Sequence, residues 1–403
     1  MISLAVVGIG GYGNSYVSAL LDAPPAEQSH FRWTAAIDPA PQSCRRLDEV
    51  ESRGVRVFRS LDEYYARERA DLVVISTPLH LHASQTCAAL ARGSHVLCEK
   101  PLCVTPDDVA QMARARDAAG RQVAIGYQWS FSAAIQRFKG DIGAGVLGRP
   151  KRMRCLVLWP RDETYYGRNR WAGAKSDSQG SLVLDSPVNN ACAHYLHNLF
   201  YLLGPAVDRS DQPAHVTAEL YRAHPIENYD TAAIRCQTSG GTEILFVVSH
   251  ATSIRRGPVF SCEFENATVD FSDAAGGIIT ARMSDGTLRS YGSPNDGKWE
   301  KLWSSIRSAR DNTPSVCGIE AASAHTRCAW AAQQSMPEIT PFEKSLVRVE
   351  GPTGARRTWV EGLAETLERC YESYQLPSEA GVAWGTPARE ISVSSAMEPP
   401  TPA

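Results

Sequence analysis

The sequence predicts an α/β chain: an N-terminal doubly wound parallel sheet, then an α+β unit carrying a large, mostly antiparallel open sheet. Three observations predict it. Residues 4–8 form a short apolar run that ends in a glycine-rich turn and a helical pattern. Over the first third, further short apolar runs alternate with helical stretches. From about residue 151 the pattern changes to strands of alternating polarity, separated by turn signals such as Ser239-Gly240-Gly241 and Asp285-Gly286. At 403 residues and 43% hydrophobic, the chain carries enough apolar material for two cores. The pattern divides it into residues 1–127, residues 128–391 and a disordered tail, 392–403, rich in proline, serine and threonine.

The opening turn reads Gly8-Ile9-Gly10-Gly11-Tyr12-Gly13, and from Asn14 the apolar residues Tyr16, Val17, Leu20 and Leu21 recur at helical intervals. Glycines at 8, 10 and 13 give the spacing G-x-G-x-x-G between a strand and a helix, the arrangement a pyrophosphate site needs. Gly8 permits the tight turn, Gly10 lets the backbone approach the phosphates, and Gly13 lets helix pack on strand. The helix N-terminus then presents unpaired N–H groups to the anion. This is a Rossmann-type turn, and it predicts a bound dinucleotide.

A second strand, 31–37, ends in Asp38-Pro39, where an acid accepts hydrogen bonds from the adenosine ribose hydroxyls and repels a 2′-phosphate. The expected cofactor is therefore NAD; the neighbouring Arg45-Arg46 keeps NADP as the lesser option. Asp38 lies 25 residues after Gly13, more than the usual ~20, and the loop 22–30 with Pro24-Pro25 accounts for the excess. Strands at 53–58, 71–76, 95–98 and 123–126 follow, with helices at 61–66 and 83–92. Ligands of open parallel sheets bind beyond the carboxyl ends of the strands. Gly8, Asp38, Ser76 and Lys100 sit at such ends, and Gln128, just past the sixth strand, faces the cofactor from the sheet edge. Lys100 lies between Glu99 and Pro101. Crowding and burial there would lower its pKa, making it a usable acid or base near neutral pH.

Composition excludes several classes. A formal net charge of −3 leaves no electrostatic footprint for nucleic acid or an anionic membrane. No apolar run approaches the ~20 residues of a membrane span, and no signal core precedes the first strand, so a cytoplasmic protein is expected. The 11 cysteines are scattered and never in C-x-x-C spacing. Neither a disulfide framework nor a metal site is expected.

The second unit is most informative over 165–204. Tyr165, Tyr166, Arg168, Asn169, Arg170 and Trp171 crowd aromatics and guanidinium groups together, which suits a polyhydroxylated or acidic small molecule through stacking and bidentate hydrogen bonds. At ~100° per residue, Asp185, Asn189 and Cys192 share one helical face. His194 falls roughly opposite and is expected in the core, whereas His197, a quarter-turn round, is a second-rank substrate residue.

The combination of GIGGYG, TPxxxH (Thr77, Pro78, His82), EKP (Glu99 to Pro101) and GxLxxD (Gly180 to Asp185) resembles the glucose-fructose oxidoreductase, inositol dehydrogenase and MocA family, Gfo/Idh/MocA. The resemblance implies an NAD(P)-dependent oxidoreductase acting on CH–OH groups of a sugar, sugar acid or cyclitol, assembled as a homodimer or homotetramer. It implies that Gly11, Tyr12, Thr77, Pro78, His82 and Glu99 join the glycines, Asp38, Ser76, Lys100 and Gln128 around the cofactor. Lys100, Asp185 and Asn189 are the implied catalytic residues, with Tyr166, Arg168, Arg170 and Trp171 beside the substrate together with Asp185 and Asn189. The segment 180–192 looks like the family element G-x-L-x-D-x-G-x-H-x-x-D, with Asp185 on its first acid. Asn189 then stands where the family most often has histidine, and an amide positions a hydroxyl but carries no proton. Two rival activities known among such proteins follow: redox-neutral glycoside cleavage through transient oxidation, and nucleotide sensing without turnover.

Overall fold

The computed structural model describes residues 1–393. The short apolar runs of the first third become β1 (Ile2–Val7), β2 (Phe31–Ile37), β3 (Arg56–Phe58), β4 (Leu72–Ile75), β5 (His95–Cys98) and β6 (Val123–Ile125). They pair in parallel in the order β3-β2-β1-β4-β5-β6. Both faces of such a sheet are covered, which is why β4 and β5 are buried at every residue. The order reverses between β1 and β4, and the crevice beyond their carboxyl ends is where open α/β sheets hold ligands.

The alternating segments become β7 (Pro150–Leu158), β8 (Pro213–Arg222), β9 (Thr231–Thr238), β10 (Glu243–Ser249), β11 (Arg256–Phe264), β12 (Ala267–Ser272), β13 (Ile279–Met283) and β14 (Leu288–Gly292). They form most of a second sheet in the order β14-β13-β12-β11-β7-β10-β9-β8, antiparallel among themselves except for the parallel pair β7 and β10, and the short strand Thr340–Pro341 adds to β8 in parallel.

The sequence pattern does not place the later helices of the α+β unit. Helices Glu300–Asp311 and Ile319–Ser335 return to the first sheet, the former against β1 and β5, the latter against β6 as well as β8. Helix Leu363–Ser373 covers the second sheet over β7 and β10. The helix 319–335 is buried almost all round and built largely of small residues, so it shows no amphipathic stripe in the sequence. The expected tail also begins too early. Ser392 pairs with His215 as Ile391–Ser392 joins β8, because Ile391 finds apolar cover there; residues 394–403 lie outside the described residues.

Candidate active site

The glycine turn is built by steric necessity. Gly8 has φ +82°, and a Cβ there would lie 2.7 Å from the Ser76 carbonyl oxygen; one at Gly13 would lie 2.0 Å from the Gly8 carbonyl oxygen. Strand β1, the loop after β4 and the helix Gly13–Leu21 therefore meet without side chains between them. A Cβ at Gly10 would strike Ser43 Oγ at 2.3 Å, so this glycine also makes room for the loop after β2. The helix starts with no side-chain cap and no acid in its first turn, and Ser76 Oγ is buried beside it without a partner. Such a terminus suits an anion.

Asp38 is tied to this turn. Its Oδ2 accepts from the Ile9 and Gly10 N–H groups at 2.9 and 3.2 Å, and its Oδ1 accepts from the Ala40 N–H at 2.8 Å. A carboxylate has about four acceptor positions, so capacity remains for a ribose hydroxyl. Of the nearby arginines, Arg46 is forked between Asp22 and Glu49.

After β4, Thr77 Oγ1 donates to Gln85 Oε1 at 2.6 Å, and Pro78 leads into the turn Leu79–Leu81. His82, placed beside the cofactor by the resemblance, is buried instead, its ring nitrogens 3.0 Å from the Thr77 carbonyl oxygen and 2.7 Å from that of Pro101. It staples the loop after β4 to the loop after β5, where the Lys100–Pro101 peptide is cis. Gly126 packs on Glu99, and the partly exposed Gln128 follows two residues later.

Glu99 does not hold the Lys100 ammonium. Its Oε1 accepts from Tyr16 OH at 2.6 Å and from Lys301 Nζ, a buried lysine on helix 300–311. Lys301 Nζ also lies 3.3 Å from the half-exposed Tyr12 hydroxyl. Lys100 Nζ crosses to the second unit and donates to the Asn190 carbonyl oxygen at 2.8 Å and to Asn190 Oδ1 at 3.1 Å. Asn190 Nδ2 in turn donates to Asp185 Oδ1 at 2.7 Å. Asp185 Oδ2 accepts from the Gly173 N–H at 2.7 Å and faces Arg168 Nη2 at 3.5 Å. Burial, with the Lys301 charge adding to it, pushes Lys100 below its ordinary value against the opposing pull of Glu99 and Asp185. Burial pushes Asp185 upward, opposed by Arg168.

Three substrate-side expectations are corrected. Asn189 does not reach Lys100: it is buried, and its amide donates to the Leu184 carbonyl oxygen at 3.3 Å. The cause is a π turn, Pro187–Ala191, closed by the Cys192 N–H on the Pro187 carbonyl oxygen at 2.8 Å. That i→i+5 closure invalidates an α-helical wheel and brings Asn190, not Asn189, alongside Asp185. The two histidines exchange places for the same reason. His197 is in the core, stacked on Tyr127 at 3.8 Å between ring centroids and bonded to Ser130 Oγ at 2.9 Å. His194 is partly exposed, with Nδ1 unpartnered, and the charges of Lys100 and Lys301 join burial in pushing it well below the ordinary imidazole value. Trp171 packs with Leu79, Val104 and Val183, closing the seam between the two units. Arg170 is exposed, while Tyr166 OH meets His250 Nδ1 at 3.1 Å.

Sequence reasoning missed Lys301, Asn190 and His194. Lys301 lies far along the chain with no motif around it. A doubled asparagine followed by A-x-A-H was the signal available for the other two.

The fold and site together define a dinucleotide-binding α/β domain joined to an open-sheet domain across a seam where Lys100 meets Asn190. Residues 2–127 match the family model described as Gfo/Idh/MocA, oxidoreductase family, NAD-binding Rossmann fold. The chain is 29% identical over 208 residues to a putative UDP-kanosamine synthase oxidoreductase subunit of Amycolatopsis mediterranei (strain S699), covering 51% of this chain and 52% of the relative. It is 32% identical over 132 residues to a 1,5-anhydro-D-fructose reductase of Ensifer adhaerens, covering 33% and 39%. It thus spans about half or less of the length of these curated relatives. The fold is shared with the WlbA dehydrogenase of Bordetella pertussis, solved with NADH and UDP-GlcNAcA, at a TM-score of 0.66 and 22% identity, over 83% of this chain and 96% of that one.

Proposed function

We propose that the protein is an NAD-dependent oxidoreductase that moves a hydride between the nicotinamide and a hydroxyl-bearing carbon of a sugar, sugar acid or cyclitol. The observation that carries this reading is Lys100: a partly exposed lysine at the carboxyl end of β5, beside the glycine turn, tied through Asn190 to the buried Asp185. The names of the relatives, a reductase and a dehydrogenase of sugar derivatives among them, support the same class.

The glycine cradle, the uncapped helix start and the orphaned Ser76 hydroxyl fit a dinucleotide pyrophosphate. When bound, NAD supplies the hydride acceptor or donor. Asp38 orients a ribose hydroxyl, and the commitment of Arg46 to two carboxylates leaves less positive charge for a 2′-phosphate. Lys100 holds the substrate hydroxyl and moves its proton. Asn190 aims the Lys100 ammonium, Asp185 sets its charge environment, and Asn189 braces the strained backbone at Leu184, φ +50°, just before Asp185. His194, close enough to feel the Lys100 charge, is a second group able to accept a proton.

The test is a panel of sugars, sugar acids, cyclitols and aryl glycosides with NAD and NADP, following reduced nicotinamide and released aglycone together. Stoichiometric NADH formation supports the reading. Aglycone release without net NADH, or saturable NAD binding with no turnover on any compound, would overturn it.

A further inference from the structure

Three guanidinium groups gather in the second unit, and two have no carboxylate partner among the described residues. The Arg161 guanidinium carbon lies 5.6 Å from the Trp159 ring centroid and 4.6 Å from that of Tyr165. Arg255 lies over the same Trp159 ring at 4.8 Å, and Arg168 lies over Tyr165 at 3.8 Å. These aromatic platforms are themselves fixed, since Trp159 Nε1 donates to the Gly257 carbonyl oxygen at 2.8 Å. The Arg161 backbone is clamped as well: its N–H donates to the His250 carbonyl oxygen at 3.1 Å, and its carbonyl oxygen meets His224 Nε2 at 3.2 Å. Arg161 Nε is nevertheless buried without a hydrogen-bond partner.

Neighbouring carboxylates are spent elsewhere. Asp162 caps the turn Glu163–Tyr166, Glu163 is held by Arg356, and Asp230 accepts from the His224 N–H at 2.7 Å. Asp185 takes Arg168 and Asn190, and Asp273, which acts on Tyr195 along with Arg255, makes no ion pair with it among the described residues. The cluster adjoins Lys100 by contact: Arg168 Nη2 faces Asp185 Oδ2 at 3.5 Å, Asn190 Nδ2 donates to Asp185 Oδ1 at 2.7 Å, and Lys100 Nζ donates to Asn190 Oδ1 at 3.1 Å. The Arg161, Lys100 and Arg255 charges also act together on Cys192, pulling against the rise that burial gives its thiol. Stacked cations, one with a buried Nε unmet, suit an anion, and Arg168 ties the cluster to Lys100 through Asp185 and Asn190.

We propose that Arg161 and Arg255, with Arg168 beside them, bind an anionic group on the substrate, so that the compound oxidised is a polyhydroxylated acid or its phosphate-bearing equivalent rather than a neutral sugar. The proposal rests on the reading of this seam as a sugar or cyclitol oxidoreductase site and names the substrate class for it.

The experiment measures binding to the NAD-loaded protein by calorimetry, and turnover in parallel, for a hexuronate, a hexose 6-phosphate and the neutral hexose, in the unmodified protein and in Arg161→Gln, Arg161→Lys and Arg255→Gln. Arg255 is exposed, so its variant keeps the fold even if Arg161→Gln does not. Each glutamine variant is expected to weaken the anionic ligand about 10- to 100-fold, the scale of one lost charged hydrogen bond, and at least about tenfold more than it weakens the neutral hexose. Arg161→Lys should recover part of the loss, and added salt should weaken anion binding in the unmodified protein. Preference for the hexuronate assigns a carboxylate, and preference for the hexose phosphate assigns a phosphate. Equal losses for charged and neutral ligands, or turnover of the neutral hexose alone, would overturn the proposal while leaving the oxidoreductase reading in place. Anion binding lost on Arg161→Gln with no turnover of any compound would do the reverse.

Discussion

Lys301 and Glu99 form a buried ion pair joining helix 300–311 to the carboxyl end of β5, one residue before Lys100. Removing one partner strands the other as an uncompensated buried charge, which typically costs about 3–5 kcal/mol, whereas replacing both with neutral groups costs far less. Lys301→Met should therefore lower thermal stability sharply, and Lys301→Met combined with Glu99→Gln should restore much of it. The pair also sets an acid limit. Burial raises the Glu99 carboxyl, but Lys301 and Tyr16 more than offset this and hold it below 4.5. A depressed carboxylate contributes stability that is present above its unfolded value and lost as pH falls through the folded value. The acid loss should begin below about pH 4.5 and be smaller in the double variant, measured as melting temperature against pH.

Asp38 has two tasks in one position, gripping the Ile9 and Gly10 N–H groups and offering its remaining acceptor capacity to a ribose. Asp38→Ala should weaken NAD binding by about 1–3 kcal/mol, because charged hydrogen bonds go unmade and the turn loses its tie. Fluorescence titration with NAD and NADP checks this. Tighter binding of NADP than of NAD by the unmodified protein would contradict the assignment.

The first sheet was legible because its strands are short, apolar and punctuated by glycine and proline, and β2 and β5 run over the residues the pattern indicates. The second sheet was legible through alternation. What escaped were features the local pattern does not encode. The helix 319–335 is buried on nearly every side and so lacks a polar face, although helix 300–311 does carry Leu302, Trp303, Ile306 and Ala309 at helical spacing. Nothing near Lys301 announces that it meets Glu99, since that contact depends on how a distant helix docks. The π turn at 187–191 inserts extra arc into what reads as an ordinary helix, and every face assignment after Asp185 shifts with it.

That shift separates two adjacent asparagines. Asn190 touches both Lys100 and Asp185, whereas Asn189 supports the backbone before Asp185. Asn190→Ala should depress turnover and leave NAD affinity nearly intact, because the ammonium loses its aim. Asn189→Ala should act chiefly on stability, by about 1–3 kcal/mol for an unmet buried carbonyl. Comparing kcat, KM and melting temperature for the pair distinguishes the two roles, and an effect of Asn189→Ala on kcat larger than that of Asn190→Ala would reverse them.

Lys100 and His194 are the two groups able to take the proton, and the pH dependence of their variants tells which one does. Oxidation of a hydroxyl needs its base unprotonated, so turnover should rise with pH through the pKa of the working group. Burial lowers Lys100 from 10.5, and burial together with the Lys100 charge drives His194 well below 6.5. If Lys100 is the base, the rising limb lies below 10.5 and responds to the charges that face Lys100. Asp185→Asn, by removing a carboxylate that favours the charged ammonium, should then move that limb to lower pH. Lys100→Met should cut turnover by about 10²–10⁴-fold with NAD binding preserved. His197→Ala, which empties a stacked core position against Tyr127, should cost stability instead. A limb confined below pH 6.5, insensitive to Asp185→Asn and abolished by His194→Ala, would transfer the proton from Lys100 to His194 and leave the lysine to hold the hydroxyl oxygen.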